Sequence, residues 1–241
     1  MLESYKYARK ENVTVYYVGN DRRFVIEVME GVLYSYKELE KYFQLKDIKF
    51  SIRTILVMNR REYDYIGEMV LKLKRNSASK RNEVTITSKN DLLILSPFAY
   101  GEESTYDYEG EMLQKLIYSQ VVHIFNEFLS LNPEASSTWF GQGIAIYLSK
   151  LWDEENINKE IKKAMKEDMI PSLKMIQENK SLYKTWAWTI VRYIEEIYGK
   201  EIINEIIRKY DESDIFSVIK VPIDDLEDQW RAWLENEDNI S

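Results

Sequence analysis

The chain has 241 residues and a formal net charge of −8, with acids and bases interspersed. That balance disfavours nucleic acid or an anionic membrane as the main partner, because both reward a basic face. Cysteine is absent, which excludes disulfides, thiolate metal sites and cysteine nucleophiles.

Hydrophobic residues make up 45% and charged residues 31%, with only 8 Gly and 4 Pro. Such a chain has ample material for a core and little for long structureless stretches. No apolar run approaches the roughly 20 residues of a membrane helix. The opening Met-Leu-Glu-Ser-Tyr-Lys-Tyr has no apolar stretch of the signal-peptide kind. The expectation is a soluble, cytoplasmic protein that engages no membrane.

The first hundred residues read as mixed α/β. Residues 12–18 (NVTVYYV) are β-branched and aromatic, hence a strand. Residues 22–45 carry Phe24, Val25, Val28, Val32, Leu33, Tyr36, Leu39, Tyr42 and Phe43 at helical spacing, a long amphipathic helix. A strand at 50–58 and a helix at 61–74 follow. The basic polar stretch 74–82 (KRNSASKRN) reads as an exposed loop. Strands at 83–88 and 91–96, separated by Lys89-Asn90, predict a hairpin, and 97–110 an acidic connection. From residue 111 nearly everything has the 3.6 period. It predicts helices at 111–130, 137–151, 154–166, 171–178, 183–198, 200–209 and 223–235. Strands followed by helices imply an α+β fold, with a lobe at 1–105 and a helical lobe at 106–241.

One histidine is present, His123, in the run Leu116-Ile117-Tyr118-Ser119-Gln120-Val121-Val122-His123. Sixteen residues later begins Trp139-Phe140-Gly141-Gln142-Gly143-Ile144-Ala145-Ile146-Tyr147. Together these resemble the core of the gluzincin (peptidase MA-like) zinc metallopeptidases, the pattern HExxH followed by W-x-x-E-G-x-A-x-Y. In that pattern two histidines at i and i+4 share a helix face and bind one Zn²⁺. The intervening Glu takes a proton from the metal-bound water, and a Glu on a second helix completes the ligand set. The small residues, here Gly143 and Ala145, imply close packing of the second helix on the first.

The chain departs from the pattern at three of its four polar positions. Ser119 stands for the first His, Gln120 for the general base and Gln142 for the Glu ligand; His123 matches the second His. A Gln side chain cannot accept a proton. Its neutral amide oxygen suits zinc poorly, and one imidazole alone does not hold the ion. Both Glu-to-Gln departures keep shape while deleting charge, as a metal-free cleft would favour.

The likeness extends to residues 183–194 with Ile197-Tyr198-Gly199, and to residues 223–234, which are similar to the family's L-E-x-x-W-x-x-W/Y-L closing helix. It implies that Tyr183 corresponds to an oxyanion-stabilising Tyr. It also implies a zincin-like fold with a cleft between the lobes, bounded by an edge strand at 91–96 and the Ser119/Gln120/His123 face.

The expected function is that of a catalytically inactive metallopeptidase-like protein. It would have no catalytic residue, no metal and no cofactor, zinc having been lost, and would bind a peptide or protein in the cleft. The alternative is an active metal-dependent hydrolase with a rearranged site around His123, using Glu127 one turn on and acids from 102–107. A third reading is a structural module whose groove is filled by its own side chains. Trp186 and Trp188 read as core or groove wall. Arg192 reads as a structural ion-pair partner, and the acids at 153–155 and 211–214 as solvated helix ends.

Overall fold

A mixed five-stranded sheet organises the N-terminal half of the computed structural model, which describes residues 2–19, 22–45, 50–130, 138–153, 155–209 and 215–236. The strands are β1 (Lys6–Lys10), β2 (Val13–Tyr17), β3 (Ile52–Val57), β4 (Thr85–Ser88) and β5 (Asp91–Leu95), in spatial order β1-β2-β3-β5-β4. β2, β3 and β5 run parallel; β1 and β4 flank them antiparallel. The inner strands β3 and β5 are buried on both faces, as their unbroken runs Ile55-Leu56-Val57 and Leu92-Leu93-Ile94-Leu95 require.

Strand β1 was not legible in the sequence. Its KYARK composition shows no apolar alternation and four of its five residues are exposed. Pairing with β2 makes it a strand, and its lysines suit an edge that must not recruit further strands. The predicted edge at 91–96 is corrected by the topology. β5 has a neighbour on each side, and β4, joined to it by the Lys89-Asn90 turn, is the edge.

Helix α1 (Arg22–Tyr42) packs on β2 through Phe24, Val25, Val28, Val32, Leu33 and neighbours on one face. Helix α2 (Arg60–Met69) lies against β5 and starts at Asn59, whose side chain accepts the Glu62 N–H at 2.9 Å. It stops at Met69, short of the predicted residue 74. The basic stretch after it is tied down. Arg60 donates to the carbonyl of Arg81 at 3.2 Å, to that of Glu103 at 2.6 Å and to that of Glu83. Arg75 pairs with Glu83. The acidic connection at 97–110 contains a 3₁₀ turn (Pro97–Ala99) and a short helix α3 (Tyr100–Glu103).

Helix α4 (Gly110–Leu129) carries the boundary between two units, Met1–Ile124 and Phe125–Ser241. The division falls inside this helix and not near residue 105. The physical reason is that its first half belongs to α1. Gln114 fills the space over Gly31, and the Tyr118 and Tyr34 rings meet at 6.4 Å.

The second unit continues with α5 (Trp139–Ser149), a 3₁₀ turn (Leu151–Asp153), α6 (Glu155–Lys166), α7 (Leu173–Glu178), a π-helical turn (Tyr183–Ala187), α8 (Trp188–Tyr198), α9 (Lys200–Lys209), α10 (Ile215–Ile219) and α11 (Ile223–Leu234). α5 is apolar nearly all round and packs on α8 and the π-turn. Trp230 of α11 is fully buried, and its Nε1 donates to Thr189 Oγ1 at 3.1 Å. α10 had no counterpart in the sequence reading. The acids at 211–214 lie outside the described residues, as do the side chains at 153–155. The architecture is α+β, a mixed sheet followed by a mostly helical remainder. Among the described residues no helix is long and apolar enough to cross a membrane.

Candidate functional site

Helix α4 is encased along the part that carries Ser119, Gln120 and His123. Ile117, Val121, Val122 and Ile124 are fully buried. Ser119 and His123, at i and i+4, sit on a buried face at 5% and 8% exposure, whereas Gln120 is half-buried. Removal from water penalises the imidazolium, so burial pushes the His123 pKa down from 6.5 to about 4. The ring is therefore neutral near pH 7. Its Nδ1 is buried and finds no hydrogen-bond partner. An imidazole that ligates metal is normally oriented by an acceptor on its other ring nitrogen. His123 has no such orienting partner among the described side chains.

In the second unit, α5 begins at Thr138, whose hydroxyl accepts the Gly141 N–H at 3.1 Å. Trp139, Phe140, Gly143 and Ala145 are buried, and Gln142 is half-buried. A tight approach exists at Gly143. A Cβ there would stand 2.7 Å from the Ala187 carbonyl oxygen and 3.0 Å from Val191 Cγ2. The nearest groups are the backbone of the π-turn and a side chain of α8. Tyr147 is part-buried, and burial, then the nearby Glu195 carboxylate, pushes its phenol up to about 12.

Tyr183 opens the π-turn, a conformation often found at functional positions. Its hydroxyl donates to the Gln177 carbonyl at 3.0 Å, across to α7. That bond occupies the proton that an oxyanion-stabilising phenol would offer.

The candidate positions divide between the two units. Ser119, Gln120 and His123 belong to the first; Gln142 and Tyr183 belong to the second. Glu127 also falls in the second unit. Of the acids at 102–107, Glu103 Oε2 accepts the Arg60 backbone N–H at 3.3 Å, and Glu102 and Asp107 are exposed. Among the described residues no group of three His, Asp or Glu side chains is placed to hold a metal ion. The donor set itself does not fit zinc. It offers a hydroxyl, two neutral amides and one imidazole with no partner to orient it.

Trp186 and Trp188 are core residues, at 4% and 0% exposure. Arg192 Nε donates to Glu196 Oε1 at 2.9 Å, the intrahelical pair expected for it. Two features escaped the sequence reading. Asn126 is buried at 1% exposure and donates to the Gly141 carbonyl at 3.4 Å, joining the end of α4 to the start of α5. No local pattern distinguishes such an Asn from a surface one.

The second feature is the outer side of β4. The Leu95 N–H donates to the Val84 carbonyl at 2.8 Å, which fixes the phase of the antiparallel ladder. Val84, Ile86 and Ser88 therefore turn their backbone groups to β5, and Thr85 and Thr87 turn theirs outward. Among the described residues no hydrogen bond takes up those outward groups.

No protein-family model and no curated protein matches the chain.

Proposed function

We propose that the chain is a metallopeptidase-like protein that binds an extended peptide and does not hydrolyse it. The observation that carries this reading is the state of His123. It keeps the position of a zinc-binding imidazole on its helix, yet it is desolvated, neutral and without an orienting partner. Ser119 and Gln120 beside it supply neither a second strong ligand nor a base. A residue of that kind preserves the shape of a helix face and abandons its chemistry.

Peptide recognition passes to backbone. The outward N–H and C=O groups of Thr87 offer an extended partner one place on the ladder, the mode by which sheet edges capture extended segments, while Thr85 beside it is buried. The binding edge is thus β4, one strand beyond the segment that the sequence suggested.

Metal content and turnover test the premise. The protein should retain no zinc after zinc-supplemented purification and dialysis, read by mass spectrometry, and should bind extended peptides without cleaving them. A stoichiometric zinc, or cleavage of a bound peptide, refutes the reading.

A further inference from the structure

Asn76 is the only asparagine of the chain that is followed by serine or glycine. It lies in the basic stretch between α2 and β4, where the backbone bends at Asn76 and Ser77. Both residues and Ala78 are exposed, and no helix or strand includes them. The two ends of this short span are held. Arg75 pairs with Glu83, and the Ser79 N–H donates to Asp64 Oδ1 at 3.1 Å.

Asparagine is among the labile side chains, and its successor decides how labile. The backbone nitrogen of the next residue can attack the side-chain amide carbon and close a five-membered ring. A helix or strand opposes that closure, because its dihedrals are fixed and its hydrogen bonds engage the nitrogen. A β-branched successor crowds the attack.

Other asparagines meet one or more of these obstacles. Asn82 is exposed, but the N–H of Glu83 after it donates to the Lys80 carbonyl at 2.9 Å. Asn59 caps α2, and the N–H of Arg60 after it is accepted by Glu103 at 3.3 Å. Asn12 donates to the Phe50 carbonyl at 2.9 Å and precedes the β-branched Val13 of β2. Asn90 precedes Asp91, which pairs with Ser88 in the β4–β5 ladder. Asn126 and Asn204 are buried within helices. At Asn76 the successor is small, accessible and outside any ladder.

We propose that Asn76 is a site of spontaneous deamidation by way of the Ser77 backbone. The Ser77 nitrogen gives up its proton to hydroxide and bonds to Asn76 Cγ. The Cγ–Nδ2 bond breaks, and the amide nitrogen takes up a proton and leaves as ammonia. Water then opens the succinimide at either of its carbonyls, leaving aspartate or isoaspartate at this position. The net reaction consumes water and releases ammonia. The setting favours the product, because Lys72, Lys74, Lys80 and Arg81 are exposed along the same stretch and the new carboxylate enters a basic field. Isoaspartate also lengthens the backbone between the Arg75 and Ser79 anchors, so the span must bulge or release one of them. The site uses no residue of the β4 edge and stands or falls separately from the peptide-binding reading.

The test is peptide mapping by mass spectrometry of the full chain, aged in mildly alkaline buffer at body temperature. The fragment carrying residue 76 should gain about 1 Da before any other asparagine fragment, and should do so as two chromatographic forms, aspartate and isoaspartate. The gain should quicken as pH rises, since the attacking nitrogen must lose its proton. Ser77→Val should slow it several-fold, because a β-branched side chain shields that nitrogen. An Asn76 fragment that stays unchanged while other asparagines convert overturns the proposal. Aspartate without isoaspartate overturns it too, since direct hydrolysis of the amide gives only the α-linked product. A Ser77→Val chain that converts at the parent rate does the same. The unsubstituted chain decides the first two outcomes, whatever the variant's stability.

Discussion

Replacing His123 by Leu should make the protein less sensitive to mild acid. In the folded chain burial holds this imidazole near a pKa of about 4, against 6.5 when solvated. As pH falls below 6.5 the unfolded chain takes the proton first, so the unfolded state gains. The stability that a neutral His123 contributes is thus complete above 6.5 and is lost as pH falls towards 4. At about 1.4 kcal/mol per pH unit, the full gap amounts to about 3 kcal/mol, of which about 2 kcal/mol has gone by pH 5. That is a sizeable part of a typical domain stability of about 5–15 kcal/mol. The assay is urea unfolding of the parent and His123→Leu at about pH 7 and about pH 5. Carboxylates common to both proteins cancel in the comparison. The parent should lose about 2 kcal/mol more than the variant between the two conditions. Parallel losses would refute the claim that His123 is neutral and desolvated in the folded state.

Thr87→Pro removes one outward N–H from β4 without touching its bonds to β5, so extended-peptide affinity should fall about tenfold or more while stability changes by less than about 1 kcal/mol. Isothermal titration against an extended-peptide library reads the first quantity, and equal affinity in the variant would exclude the β4 edge. Gly143→Ala gains helix propensity but drives a Cβ to within 2.7 Å of the Ala187 carbonyl. A net destabilisation of about 1–3 kcal/mol is expected, seen as a lower Tm, and an unchanged Tm would mean the two helices can part without cost. Thr189→Val leaves the buried Trp230 indole N–H unpaired and should cost about 1–3 kcal/mol in chemical denaturation.

The site was legible as chemistry and not as place. Ser119, Gln120 and Gln142 announce their limits by side-chain type alone, because no fold turns a neutral amide into a base. Their burial, the desolvation of His123 and the bond that engages Tyr183 depend on what surrounds them. The edge strand shows the difference most plainly. Residues 85–88 (TITS) and 91–95 (DLLIL) differ in apolar content, but the order of the strands rests on which of them pairs with β3. Gly143 teaches the same lesson: its size foretold a close approach, but only packing could say that the visitor is Ala187.

By itself the sequence determined the α+β succession, the long amphipathic α1, the hairpin at Lys89-Asn90 and most helices after residue 110. Those features rest on periodicity and turn chemistry, which act within a few residues. The tertiary structure alone decided that KYARK is a strand, that β4 and not β5 is the edge, and that α4 is shared between two units. It alone decided that the imidazole of His123 is kept neutral. Strand order, unit boundaries and desolvation are set by residues far apart in the chain, where local pattern carries no information.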